Sequence, residues 1–255
     1  MSLTYLEIDQ ARADYTALPD DVRRTFDERL MQSWLYHDHM LEGVVLTESD
    51  ITRALRGRPC RNYCDGLVQK SLRRMMGCIH QFESDAQMGV EISLDWIKDL
   101  HRQMCDEGDE AAGRYRKRDT SPGVYHLDVV PSKSISYYFH KFLDDWESEL
   151  SGYHPIRAAA MAHWEFMRVF PFDDRTGIVG RLMMNYILMK NYYPPAIIHA
   201  NDRHNYFTAL NGHRTDLVPV VVDAIKGTID AARLFDRRYH QLTQSAPAHQ
   251  HQIAM

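Results

Sequence analysis

The stretch Phe170-Pro171-Phe172-Asp173-Asp174-Arg175-Thr176-Gly177-Ile178-Val179-Gly180-Arg181 is a short loop rich in Asp, Arg and Gly between two apolar segments. Upstream, Pro155 suits an early helix position. Ile156, Ala159, Ala160, His163, Phe166, Met167 and Phe170 then follow on one broad apolar face. Pro171 ends that helix. Downstream, Ile178 to Tyr192 predicts a second apolar helix, stopped by Pro194 and Pro195. The loop therefore opens a helix whose first N–H groups lack intrahelical partners and whose dipole favours an anion. Gly177 and Gly180 allow close backbone approach, Arg175 and Arg181 suit phosphate, and Asp174 could hold a magnesium ion bridging it. The same residues also make an ordinary helix start, with Asp as cap and the arginines in solvent. The pattern supports the two readings equally.

Outward from this segment the chain reads as helical. Apolar positions at helical spacing predict helices over 20–42, 67–82 and 135–150. Ser93 is placed to cap Leu94–Met104, Asp202 to cap a short helix to Leu210, and Leu217–Phe235 is the last long helix. Between Ala112 and Ser134 the pattern breaks: Val124, Leu127, Val129 and Val130 among glycines and prolines predict one short β-hairpin. The tail 245–255 is expected to be disordered. With no repeat or convincing linker, residues 1–244 are expected to form a single domain.

Composition excludes several classes. Hydrophobic residues are 44% and charged residues 25% of 255, a balance ordinary for a globular core. A net charge of -5 provides no global field for nucleic acid or an anionic membrane. The runs Arg53, Arg56, Arg58, Arg61 and Arg114, Arg116, Lys117, Arg118 read as solvated faces. No segment reaches the roughly 18 apolar residues of a membrane span. Residues 1–10 lack the charge and apolar run of a signal peptide. Cys60 and Cys64 are near each other, but no second pair completes a zinc site, so reduced thiols in the cytoplasm are expected.

The loop resembles the signature of the Fic family, His-Pro-Phe-x-[Asp/Glu]-Gly-Asn-Gly-Arg-x-x-Arg, and Ala160–Phe166 resembles its lead-in helix. Leu100–His101 and Gly113-Arg114-Tyr115-Arg116 are similar to the region before the family's flap, which would lie at 124–130. Pro195 to Arg203, Tyr206 and Leu210 are similar to the segment after the signature helix. Asp38-His39-Met40-Leu41-Glu42-Gly43, on a helix near 34–43, is similar to the inhibitory motif [Ser/Thr]-x-x-x-Glu-Gly. The resemblance implies a mainly helical, all-α Fic-like fold with a hairpin flap. It makes Asp174 the metal-binding acid, possible partner of Mg2+, and Gly177 an anion-hole position. Arg181 would bind a terminal phosphate or pair with Glu42, the inhibitory glutamate. Arg175, Thr176, Gly180, Arg203 and Tyr206 are the further ligand-site candidates, Arg175 for its charge in the loop and not for any match to the family.

The signature segment 170–181 departs from the family at four positions: Phe170 for the histidine base, Arg175 for glycine, Thr176 for asparagine, Ile178 for the first arginine. A phenyl ring cannot take a proton, and a positioned base contributes about 10²–10⁴ in rate. His163 stands roughly 10 Å from Phe170 along the helix axis, too far to replace it, and is expected in the core. His126, His199 or His204 could reach the pocket only by folding. Two functions follow. In one, Asp174 and Arg181 serve altered chemistry on an anionic or phosphorylated ligand. In the other, an inactive pseudoenzyme binds a ligand, or a protein target by β-addition to the flap.

Overall fold

The computed structural model describes residues 3–59 and 63–245, and the described residues form helices without a β-strand. In chain order the helices are α1 (Leu3–Thr16), α2 (Asp20–Leu41), α3 (Glu48–Leu55), α4 (Tyr63–Gln87) and α5 (Leu94–Met104). They continue with α6 (Ile135–Ser148), α7 (Pro155–Val169), α8 (Thr176–Lys190), α9 (Arg203–Asn211) and α10 (Leu217–Ser245). Cys60, Arg61 and the tail beyond Ser245 lie outside the described residues.

Helix α8 is the centre. Every residue from Thr176 to Leu188 is buried, as a helix apolar on all sides must be. It packs most extensively on α7, with α4 and α5 on its other flanks, while α6 and α10 cover α7. Pro155 holds the first turn of α7, where its missing N–H costs nothing. Gly180 lets the two central helices close: a β-carbon there would stand 2.9 Å from both His163 Nδ1 and Phe166. The Ser93 hydroxyl accepts from Trp96 N–H at 3.2 Å and starts α5 as its sequence position implies. Asp202 is at the first boundary of α9 but makes no side-chain cap.

The predicted hairpin does not form. Residues 124–130 are instead a turn and extended backbone, with Tyr125 and His126 N–H both donating to Pro122 O. Two backbone donors that a ladder would use flank the α7–α8 loop instead: Arg116 N–H reaches Pro171 O at 2.8 Å, Val130 N–H reaches Arg168 O at 3.1 Å. The apolar alternation serves burial of Tyr125 and Leu127, and the segment offers no paired strand edge. Arg116 also leaves its expected solvated face. It is buried, and its guanidinium donates to the carbonyls of Phe170, Arg118 and Val130, so it fastens the turn to the end of α7.

Candidate functional site

The α7–α8 loop is shaped by two left-handed residues. Phe170, which closes α7, has φ 45°, and Arg175, just before α8, has φ 56°. Across the loop, from the first residue of α8, the Thr176 hydroxyl donates to Phe172 O at 3.1 Å and accepts from Phe172 N–H at 3.2 Å. Thr176 is thus a clasp for the loop, buried and fully engaged. Ile178 is buried too, so the position carries packing where a second guanidinium would carry charge. The Phe170 ring is nearly covered and meets Tyr125 edge-on at 6.4 Å.

One turn into α8, Arg181 is 2% exposed, and every donor nitrogen has a partner. Nε donates to the Asp38 carboxylate. Nη2 donates to Glu42 Oε1 at 2.7 Å and to Asp38 O at 3.3 Å. Nη1 reaches the Tyr125 hydroxyl at 2.8 Å and the Tyr206 hydroxyl at 3.5 Å. The Tyr125 hydroxyl in turn donates to Glu42 Oε1. The pairing expected of Glu42 is therefore present, though one Glu42 oxygen makes it and Asp38 shares the guanidinium. Burial pushes the Asp38 carboxyl up to about 6 even against the arginine beside it, and its Oδ2 has no hydrogen-bond partner.

Gly177 explains how tight this arrangement is. A β-carbon added there would collide with the Tyr125 hydroxyl and Glu42 Oε1. The chain's own phenol and carboxylate occupy the space against the first turn of α8. Tyr206 is buried, and its hydroxyl donates to His163 Nε2 at 2.7 Å. His163 is a core residue whose pKa burial pulls down to about 3.

The outer half of the loop is different. Asp174 is half-exposed; its Oδ1 takes the His101 Nε2–H at 3.4 Å and its Oδ2 takes Arg175. The hydrogen bond from His101, then the Arg175 charge, hold this carboxyl below its ordinary value. His101 Nε2, Cys105 Sγ and an Asp174 oxygen lie within 4.8 Å of one another. Their bonding opposes a soft cation. His101 Nδ1 accepts from Gly113 N–H at 2.9 Å, which leaves the ring proton on Nε2. Burial raises the Cys105 thiol to about 11, so it is protonated, and the Arg175 guanidinium lies 3.8 Å from its sulfur. A hard Mg2+ needs less from the protein, one carboxylate with waters and phosphate oxygens. Asp174 fits that demand once Arg175 releases it.

Other expected positions stand apart. Arg203 is exposed and lies over the Phe207 ring at 5.4 Å. His126 and His204 are exposed, and His199 stacks on His37 at 4.1 Å. Tyr125 and Asp38 bond directly to Arg181, as none of these does. Asp38 was visible only as the first position of the inhibitory motif; Tyr125 lay hidden in the segment read as a hairpin.

Residues 91–188 match the model of the Fic/DOC family. The chain carries a Fic domain. It is 29% identical over 245 residues to a protein adenylyltransferase Fic of Nematostella vectensis, covering 88% of this chain and 54% of that one. A protein adenylyltransferase fic-1 of Caenorhabditis elegans is 30% identical over 201 residues, 74% of this chain and 38% of its own. The chain thus spans about half the length, or less, of these curated relatives. Among solved structures, a Fic-domain signaling protein from Bacteroides thetaiotaomicron superposes with TM-score 0.78 at 18% identity, covering 93% of this chain and 98% of that one. Fic-1 from C. elegans gives 0.75 at 21% identity, with 95% and 73% covered. The helical architecture is that of the Fic fold.

Proposed function

We propose that this Fic domain is a binding module that takes an anionic, phosphorylated ligand at the start of α8 in competition with Glu42, and that it does not perform histidine-dependent AMP transfer. The observation that carries the reading is the enclosure of Arg181 beside Gly177. A buried guanidinium must be neutralised, and two carboxylates neutralise it here. Glu42, with a side chain 19% exposed against 4% for Asp38, is the one a ligand phosphate can displace. Tyr125, hydrogen-bonded to Glu42, would swing out with it.

The relatives bear the name adenylyltransferase, and transfer to a hydroxyl requires a base. Phe170 supplies none. The histidines nearest the loop are committed, His163 to Tyr206 and His101 to Gly113 and Asp174. A second reading, altered chemistry on the same scaffold, is favoured by one observation: Asp174 is an ionised carboxylate at the exposed rim of the loop. Asp174 would hold Mg2+ there, supplying charge to orient phosphate oxygens, with Arg175 as a further phosphate partner. A cytoplasmic location and one domain over 1–244 belong to the same proposal.

The test has two arms. Incubation with labelled ATP, Mg2+ and cell lysate leaves no adduct above background; robust labelling abolished by Asp174→Ala overturns the transferase clause. In a thermal-shift screen of nucleotides and phosphorylated metabolites, a ligand at 100 times its Kd stabilises by about 2.7 kcal/mol. Glu42→Gly tightens that binding, and Glu42→Gln does so less because it keeps the bulk. A folded Glu42→Gly protein that responds to nothing in the screen sinks the anion clause.

A further inference from the structure

Away from the α7–α8 loop, a groove of about 700 Å³ lies between α2 and α10, within the size range of small-ligand sites. Phe26 and Leu30 of α2, Ile197, and Leu234 and Phe235 of α10 supply its apolar lining. The charged side chains that line it are Arg29 and Arg238; no Asp or Glu does, although acids outnumber bases 35 to 30 in the chain. Neither arginine forms an ion pair with an acid among the described residues. Arg29 rests instead on the Phe235 ring, 4.9 Å from its centroid.

Gly227 is an independent sign that the groove is kept open. It sits inside α10, where glycine is among the poorest helix formers. Tight packing does not require it, since a β-carbon there would meet nothing within 4 Å. Gly227 lines the groove, so a larger side chain would stand in it.

We propose that this groove binds an acyl carboxylate, its hydrocarbon chain along Phe26, Leu30, Leu234 and Phe235 and its carboxylate paired with Arg29 and Arg238. Both arginines are exposed and solvated in the free groove, and a ligand carboxylate accepts from them in charge-assisted bonds that an uncharged apolar ligand cannot make. A partner helix fits less well. The groove's volume is that of a small-ligand site, and although the lining reaches about 23 Å along α10, from Gly227 to Leu242, it reaches only about 13 Å along α2, from Thr25 to Ser33.

Isothermal titration of the full chain with dodecanoate tests the assignment. Dodecanoate binds saturably at one site, dodecanol binds about tenfold more weakly, and butyrate fails for want of apolar area. The double variant Arg29→Gln with Arg238→Gln loses about tenfold for dodecanoate and nothing for dodecanol. Gly227→Phe abolishes both, while Gly227→Ala retains them. Unfolding of each variant is followed alongside, so that a blocked groove is distinguished from a damaged fold. Dodecanoate binding that survives in folded Gly227→Phe overturns the proposal, as does equal affinity for dodecanol. So does a protein dimer that Gly227→Phe dissociates and dodecanoate leaves intact, since a second copy would then be the occupant.

Discussion

Arg181 carries five hydrogen bonds from a site almost closed to water, and its partners come from α2, the 122–126 turn and α9. Removing one acceptor from such a charge costs more than the bond is worth when made, because the rest stay buried. Tyr125→Phe deletes the hydroxyl that bridges Glu42 and Arg181 while keeping the ring. We expect a loss of about 1.5–3 kcal/mol in urea unfolding, the range for hydrogen bonds to charged groups. A change below about 0.5 kcal/mol would mean that water replaces the phenol freely, and that this face of Gly177 is more open than the geometry says. At this scale the sequence disclosed half of the cluster around Arg181. Glu42 and Arg181 were readable because both fall in recognisable motifs. Tyr125 was not, because its contacts lie 83 and 56 residues away and no local period announces them.

Helices were legible where a long apolar stripe met a cap, as at Ser93 and Pro155, whereas α3 escaped the reading despite its Thr47–Asp50 capping box, because eight residues show too little of a period. Segment 124–130 was misread because β-branched alternation describes burial, and burial does not reveal where backbone N–H groups go. Two helical glycines make the same distinction testable, since their surroundings differ as sharply as their sequence contexts are alike. At Gly180 a β-carbon would press on His163 and Phe166 at 2.9 Å, so Gly180→Ala forces α7 and α8 apart. The expected cost is about 1–3 kcal/mol in spite of alanine's better helix propensity. At Gly227 the added methyl meets nothing, so Gly227→Ala gains about 0.5–1 kcal/mol. Chemical denaturation of both variants decides the point. Shifts of the same sign would show that propensity, and not packing, governs the two positions.

Across the whole molecule, burial holds His39, His163 and His37 in their neutral form. His39 donates from Nδ1 to Leu35 O at 2.9 Å and meets the Ser71 hydroxyl at 3.0 Å, and burial lowers its pKa from 6.5 to about 4. His163 falls from 6.5 to about 3, and the half-buried His37 falls to about 4. Below pH 6.5 the unfolded chain takes up protons that these rings refuse in the fold, so stability drops as pH falls from the unfolded value toward the folded ones. Asp38 runs the other way. Its carboxyl, raised from 3.8 to about 6, protonates in the fold first and adds stability as pH falls through 6. The half-buried acids Asp27 and Glu165, raised by partial burial, share that sense. Between pH 7 and 5 the histidines dominate and stability falls, chiefly through the buried His39 and His163. The effect converges on the candidate site: protonating His163 would remove the acceptor of the Tyr206 hydroxyl and set a second cation near Arg181. His163→Gln should therefore flatten the dependence by close to one proton, measured as the slope of unfolding free energy against pH. Stability that stays level or rises from pH 7 to 5 would show that these rings are solvated or charged in the fold.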